Sequence, residues 1–413
     1  MRISVIVKIL GLLLLIFGAL ANFPPLIVSW IYEDGMASEF ITSFIYVSGA
    51  GFFMWLSSFR TTKELGTKEG FLIVTLFWVV LGTAGSLPFL LSPAVELSLT
   101  DAVFESLSGL TTTGATVISG LDDLPKSLLF YRQQLQWLGG MGIIVLAMAL
   151  LPMLGIGGMQ LYRAESPGPV KDNKLVPRLA ETAKALWYIY LTLTIVCALA
   201  YWIVGMNLFD AISHSFTTVA IGGFSTHDQS MGYFDNSAVE IVAIIFMFIA
   251  GINFALHFTA WQKRNISHYV KDPEFKFYAL ILTTVSVVTV VVLYFSEIYT
   301  SASDALIKGV FQVVSFATTT GFATADFNSW PLFLPYMLLY AAIIGACAGS
   351  TGGGMKVIRI LLIFKQGFRE VQRLIHPKAV IPIKLGKNPV SDRIIESVWG
   401  FFAVYVMAYM AML

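Results

Sequence analysis

Cysteine, histidine and charge are all scarce in this 413-residue chain, and each scarcity excludes something. The two cysteines, Cys197 and Cys347, lie far apart in separate apolar runs, so neither a disulfide framework nor a thiolate metal site is expected, and both read as packing residues. No P-loop, zinc-ligand spacing or nucleophile elbow occurs, and the GIGGMQ at 155–160 matches none of them. The chain is therefore read as neither an enzyme nor a nucleotide binder; no cofactor and no nucleic-acid partner are expected. Only 12% of residues are charged, against 57% apolar, and the mean hydropathy is +0.77. That balance excludes a soluble domain and points to an all-α polytopic membrane protein.

Hydropathy draws nine apolar spans, near 5–31, 38–58, 69–91, 131–154, 185–205, 237–260, 277–296, 331–364 and 394–413. The amino-terminal run has the basic flank and Ala-Leu-Ala of a signal peptide, but apolar character resumes after Pro24 and Pro25, which favours a retained first helix. The connections alternate in charge. One set holds 23 of the 26 basic residues, leaving only Lys126, Arg132 and Lys308 for the other, which is acidic in YEDGMASEF, SGLDDLPKS and HDQSMGYFDNSAVE. By the positive-inside rule the basic set and the amino terminus are cytoplasmic.

What is there in place of charge is a polar repeat. TTTGAT at 111–116, TTVAIGGFST at 217–226 and TTTGFAT at 318–324 all fall on the outer side, each between two full spans. Thirteen residues before Gly114 stands Asp101, and thirteen before Gly223 stands Asp210, both followed by alanine. The third copy is altered: Lys308 occupies that position before Gly321, Val310 and Phe311 match Val103 and Phe104, and an Asp-Ala lies one helical turn earlier at Asp304. Each copy is too short to span. An Asp start, a short amphipathic stretch and a polar glycine turn predict a half-helix that enters the membrane and returns as extended chain.

One TTTG alone would read as a helix-packing contact. Three copies with matching approach segments and one sidedness read as the wall of a pore, because non-helical backbone at membrane depth must be buried in protein or line water. Half-helices running inward place the partial negative charge of their carboxyl ends near the pore centre, which favours a cation. Extended segments add backbone carbonyl oxygens, glycine permitting the tight path. The threonine hydroxyls either line the entrance or brace the loops.

TTTGAT, AIGGFST, ATTTGFAT and AGSTGGGMKVIR together resemble the Trk/Ktr/HKT superfamily of potassium transporters, and within it the bacterial TrkH type, over nearly the whole chain. The resemblance implies two extra amino-terminal helices (1–60) before helix, pore-loop, helix repeats around a pseudo-fourfold pore: 61–160, 161–265, 266–375, and an incomplete fourth at 376–413. It carries potassium-filter positions over to Thr112, Thr113 and Gly114; Ile221, Gly222 and Gly223; and Thr319, Thr320 and Gly321. A single central glycine per loop implies looser selectivity than in potassium channels. It further implies a bacterial inner-membrane location, a homodimer and a cytosolic nucleotide-binding regulatory subunit, TrkA-like. The basic segment from Lys356 to Arg393 offers a surface for that subunit or for anionic membrane lipid, although positive-inside retention alone accounts for it.

The stretch GACAGSTGGGMK at 345–356 is not a fourth filter: Gly352 follows Gly321 by 31 residues, too few for two spans of about 20 each. A fourth filter is expected beyond Leu413, so the sequence reads as truncated within its fourth repeat and not expected to close a normal filter by itself. The glycines of this stretch (345–354) interrupt the apolar run 331–364, as broken helices on ion paths do. The resemblance implies an intramembrane gate of Ala346, Cys347, Ala348, Gly349, Ser350, Thr351, Gly352, Gly353 and Gly354, with Lys356 just inside it; the bland reading is a helix-packing break. Glu105 and His214 are expected to be structural, Asp101 and Asp210 to be helix caps, and Asn253 and His257 to share a helix face and bond across helices. The function this supports is channel-like potassium uptake. An ion-coupled secondary transporter with alternating access, a proton or sodium symporter, is the alternative.

Overall fold

The computed structural model describes residues 3–60, 67–145, 179–331, 333–386 and 388–412. The inner end of the expected span 131–154, the GIGGMQ segment and the basic residues Arg163, Lys171, Lys174 and Arg178 lie outside them. Helices dominate: α1 (Ile3–Tyr32), α2 (Ala37–Ser58), α3 (Thr67–Ala84), α4 (Leu87–Leu91), α5 (Leu99–Leu110), α6 (Lys126–Val145), α7 (Leu179–Ile203), α8 (Leu208–Ala220), α9 (Ser237–Ala250), α10 (Phe254–Gln262), α11 (Ser267–Lys271), α12 (Pro273–Phe295), α13 (Ala302–Thr318), α14 (Phe333–Ile344), α15 (Val357–Ile375) and α16 (Asp392–Met412). A two-residue hairpin, Lys384–Leu385 with Asn388–Pro389, is the one β-pairing among the described residues. Among the described residues six helices are long and apolar enough to cross a membrane, or seven with the bent pair α9 and α10.

The first helix continues through Pro24 and Pro25. Proline donates no N–H, so Pro24 frees the carbonyl of Leu20 four residues earlier. Gln134 on α6 takes it, its Nε2 donating at 2.6 Å. Small residues then let α1 and α2 close on each other: a Cβ at Gly11 would lie 2.6 Å from the Trp55 backbone nitrogen, and one at Gly51 2.6 Å from that of Leu15. In the connecting turn the Asp34 carboxylate accepts from the Ser29 hydroxyl at 2.6 Å and from the Ser127 N–H at 2.7 Å, tying the hairpin to the start of α6.

Two apolar cores result. One gathers α1 to α6 around Phe40, Phe89 and Tyr131; the other gathers α7 to α10 and α12 to α14 around Tyr190, Tyr201, Phe254, Tyr278 and Phe311, and takes in Ala346 and Cys347. The apolar run 237–260, expected as one helix, is two: α9 and α10 meet at 89° across a break at residues 251–253. The break is capped, Asn253 Oδ1 accepting the Ala255 N–H at 2.8 Å. His257 bonds across helices as expected, to the Tyr269 hydroxyl of α11 at 2.8 Å and the Ile249 carbonyl of α9 at 3.0 Å, closing the bend, whereas Asn253 caps α10 instead of lying within one continuous span. The run 331–364 is likewise two helices, α14 and α15, with residues 345–356 between them.

Candidate ion pathway

The three Thr/Gly segments each begin as a short helix with the same start. Ser98, Asn207 and Ser301 are the N-caps of α5, α8 and α13, accepting backbone N–H groups from Asp101, Asp210 and Ser303. Asp101 and Asp210, expected as the caps, sit three residues inside instead, where they bond the cap side chains at 2.7 and 2.6 Å. The motif is thus Ser/Asn-x-x-Asp, in which cap and acid satisfy each other while the acid faces the positive helix end. The third copy keeps the spacing, Ser301 to Asp304, but there the Ser301 hydroxyl bonds that of Ser303 at 2.6 Å, and α13 is correspondingly longer. Lys308, which replaces the aspartate at the matching distance from the glycine, pairs with buried Glu240 on α9.

All three half-helices also end alike. The residue two before each glycine is left-handed: Thr112 at φ 55°, Ile221 at 55° and Thr319 at 68°. The glycines themselves have φ of 77°, 83° and 84°, a region open to glycine without strain. In each copy the N–H just before the glycine reaches back five residues: Thr113 to Ser108, Gly222 to Thr217 and Thr320 to Ser315, at 2.9, 2.9 and 2.8 Å. This closure stops the helix and turns the chain back on itself. Ser108 and Ser315 then donate to the carbonyls of Ala115 and Phe322, just past the glycines, at 2.6 and 2.7 Å.

The returning segments are braced by the residue nine before each glycine: Glu105, His214 and Gln312, all fully buried. Glu105 accepts from Thr116 and from the Val117 N–H, His214 Nε2 bonds Ser225 at 2.9 Å, and Gln312 donates to the Ala325 carbonyl at 3.2 Å. For Glu105 and His214 this structural role is the expected one. Arg132 on α6, buried with Glu105, pairs with it at 2.8 Å, donates to the Ser225 carbonyl of the second loop at 3.2 Å and lies over the Phe224 ring. Removing one member of such a buried pair costs about 3–5 kcal/mol, so this link is a strong constraint between the first two loops.

The loops abut in sequence order. A Cβ on Gly114 would collide with the Gly222 carbonyl oxygen, and one on Gly223 with the Thr320 carbonyl oxygen, whereas the space beside Gly321 is open. Gln136 fixes the middle loop, donating to the Gly222 carbonyl at 2.7 Å and accepting the Phe224 N–H at 3.1 Å. Several threonines brace the turns: Thr111 pairs with Thr113 at 2.8 Å and Thr318 with Thr320 at 2.7 Å.

The glycine-rich segment 345–356 packs directly against these turns. The Thr351 hydroxyl donates to the Val219 carbonyl near the end of α8 at 3.0 Å, and the Gly353 N–H donates to the Thr319 hydroxyl at 2.6 Å. At Gly352 a Cβ would lie 2.8 Å from the Thr318 carbonyl oxygen and 3.6 Å from Ile221 Cδ1, so only glycine fits so close to the turn. On its other side the segment joins the break between α9 and α10, with Cys347 N–H on the Gly251 carbonyl at 3.0 Å and Phe254 N–H on the Gly349 carbonyl at 2.9 Å. Left-handed backbone at Gly345, Gly349, Gly354 and Lys356 carries the excursion, and the Lys356 ammonium donates to the Gly352 carbonyl. Ala346, Cys347, Ala348, Ser350 and Thr351 are all buried.

The repeat spacing marked the three glycines and the family resemblance the other turn residues and the loop, but neither marked Arg132, Gln136 or the true caps. The signal for the caps was present in SLTD, NLFD and SASD. No His, Cys, Asp or Glu cluster able to hold a metal ion occurs among the described residues.

Three capped half-helices, each reversing at a left-handed glycine turn inside a bundle of apolar spans, define a polytopic helical membrane protein. Residues 36–413 match the family model TrkH, described as a cation transport protein. The chain belongs to the TrkH family. It is 57% identical over 413 residues to a Trk system potassium uptake protein TrkH of Halomonas elongata, covering all of this chain and 85% of that protein. It is 54% identical to the Escherichia coli K12 protein of the same name, over 99% of this chain and 84% of the other. The crystal structure of the potassium transporter TrkH from Vibrio parahaemolyticus superposes with a TM-score of 0.91 at 52% identity, over 100% of this chain and 85% of that one.

Proposed function

We propose that this protein takes up potassium across the bacterial inner membrane by a channel-like route. The abutment of the three glycine turns carries the reading, since it brings three half-helix carboxyl ends to one place. The potassium uptake named for its close relatives supplies the ion. Backbone carbonyls of Thr112, Thr113 and Gly114, of Ile221 and Gly223, and of Thr319, Thr320 and Gly321 replace water around the dehydrated ion. Gly222 serves differently, its carbonyl being held by Gln136. The open space beside Gly321 is where a fourth loop of a pseudo-fourfold pore would stand.

Residues 346–354 and Lys356 form the gate in this reading, lying against the inner turns and held there by neutral hydrogen bonds. The basic segments face the cytoplasm, the turns open outward, and a homodimer carries a cytosolic nucleotide-binding regulatory subunit. The test is rubidium and sodium flux in proteoliposomes. Gly114→Ser or Gly321→Ser lowers potassium-over-sodium selectivity, and deletion of 346–353 raises resting flux. Unchanged selectivity in both glycine variants removes the filter assignment, and unchanged flux in the deletion removes the gate. Saturating flux that moves with a proton or sodium gradient would favour symport instead.

A further inference from the structure

One buried carboxylate beside the glycine-rich segment has no part in the scheme above. Asp272 caps α12, accepting the Phe275 N–H at 2.8 Å, and Pro273 opens the helix, so Glu274 is not needed for the helix's own start. Its side chain turns outward to the neighbouring segment, where Oε1 accepts the Ala348 N–H at 2.7 Å. The segment leads from Ala348 to Lys356, the N-cap residue of α15.

We propose that Glu274 is the positioning residue that latches the glycine-rich segment in its closed place, a statement that rests on the gate reading above. The Glu274 side chain ties the start of α12 to Ala348, where the chain enters the excursion. Against the turns the segment is held through Thr351 and Gly353. On its far side the hold comes from α12, through the Glu274 carboxyl group.

Cys347, 1% exposed and next to Ala348, is a built-in reporter. In a Cys197→Ala background, Glu274→Ala speeds alkylation of Cys347 by N-ethylmaleimide about tenfold or more, the scale of a buried N–H left without its acceptor. It also raises maximal rubidium flux with the half-saturating concentration unchanged. Glu274→Gln keeps an acceptor oxygen and the same size, so it restores much of the protection; it also serves if the alanine variant folds poorly. Wild-type protection of Cys347 in Glu274→Ala, while deletion of 346–353 raises flux, overturns the latch and leaves the gate standing. Exposed Cys347 with flux unchanged in both Glu274→Ala and the deletion overturns the gate reading alone. Loss of folded yield in both Glu274 variants, with Cys347 still protected in what remains, assigns Glu274 a purely structural role and overturns the proposal.

Discussion

His227 stands four residues past Gly223 with a carboxylate on each ring nitrogen: Asp122 of the first loop on Nδ1 and Asp210 of its own half-helix on Nε2, the latter at 3.3 Å. Tyr233 stacks on its face, and His214 lies parallel at 6.4 Å. Burial disfavours the imidazolium, but the bonds to Asp210 and Asp122 outweigh it and raise the His227 pKa above 6.5. The His227 hydrogen bond likewise holds Asp122 below the usual carboxylate value, with Lys126 adding attraction and burial opposing. A raised histidine contributes stability that is complete below its unfolded value and lost as pH rises through the folded one. The depressed Asp122 contributes above its unfolded value and loses this as pH falls. His227→Gln should therefore destabilise the protein by about 1–3 kcal/mol in mildly acid buffer and by less at alkaline pH. Thermal unfolding of both forms across that range checks it, and a constant gap would contradict the assigned charge. Histidine in the loop was visible in the sequence; its two carboxylates, 105 and 17 residues away, were not.

Among the elements, the three half-helices were legible because their ends are written locally, in a cap, an acid and a glycine. The third looked irregular only because its start lies one turn earlier. The bend between α9 and α10 was not legible, since both arms are apolar and a hydropathy window averages across the break. Asn253 makes that bend, as the N-cap of α10 and as the neighbour of Gly349, where a Cβ would lie 3.0 Å from Asn253 Oδ1. Asn253→Ala should cost about 1 kcal/mol for the cap. Denaturant unfolding in detergent measures it, and the loss should exceed that of an alanine placed on the lipid face of α9 at Ile245.

For the molecule as a whole, the crowding of basic residues into one set of connections sets an orientation that can be read without the pore. Asp123, exposed in the segment after the first turn, should face outward, and Lys378, exposed after α15, inward. In a cysteine-free background, Asp123→Cys should react with an impermeant maleimide in intact cells and Lys378→Cys only after permeabilisation. The reverse pattern would invert the topology.

Hydropathy, the sidedness of charge and the spacing of three glycines determined by themselves that this is a helical membrane protein with repeated half-helices, because each is a property of contiguous residues in a solvent that punishes unpaired backbone. The tertiary structure alone decided which buried groups hold those repeats together: Arg132 across two loops, Gln136 on the Gly222 peptide, Thr351 and Gly353 against the turns, and Glu274 on the far side of the glycine-rich segment. Nothing local marks such residues. A polar side chain in an apolar run finds its partner through packing of distant helices, and it is the fold, by burying both, that makes each bond costly to lose.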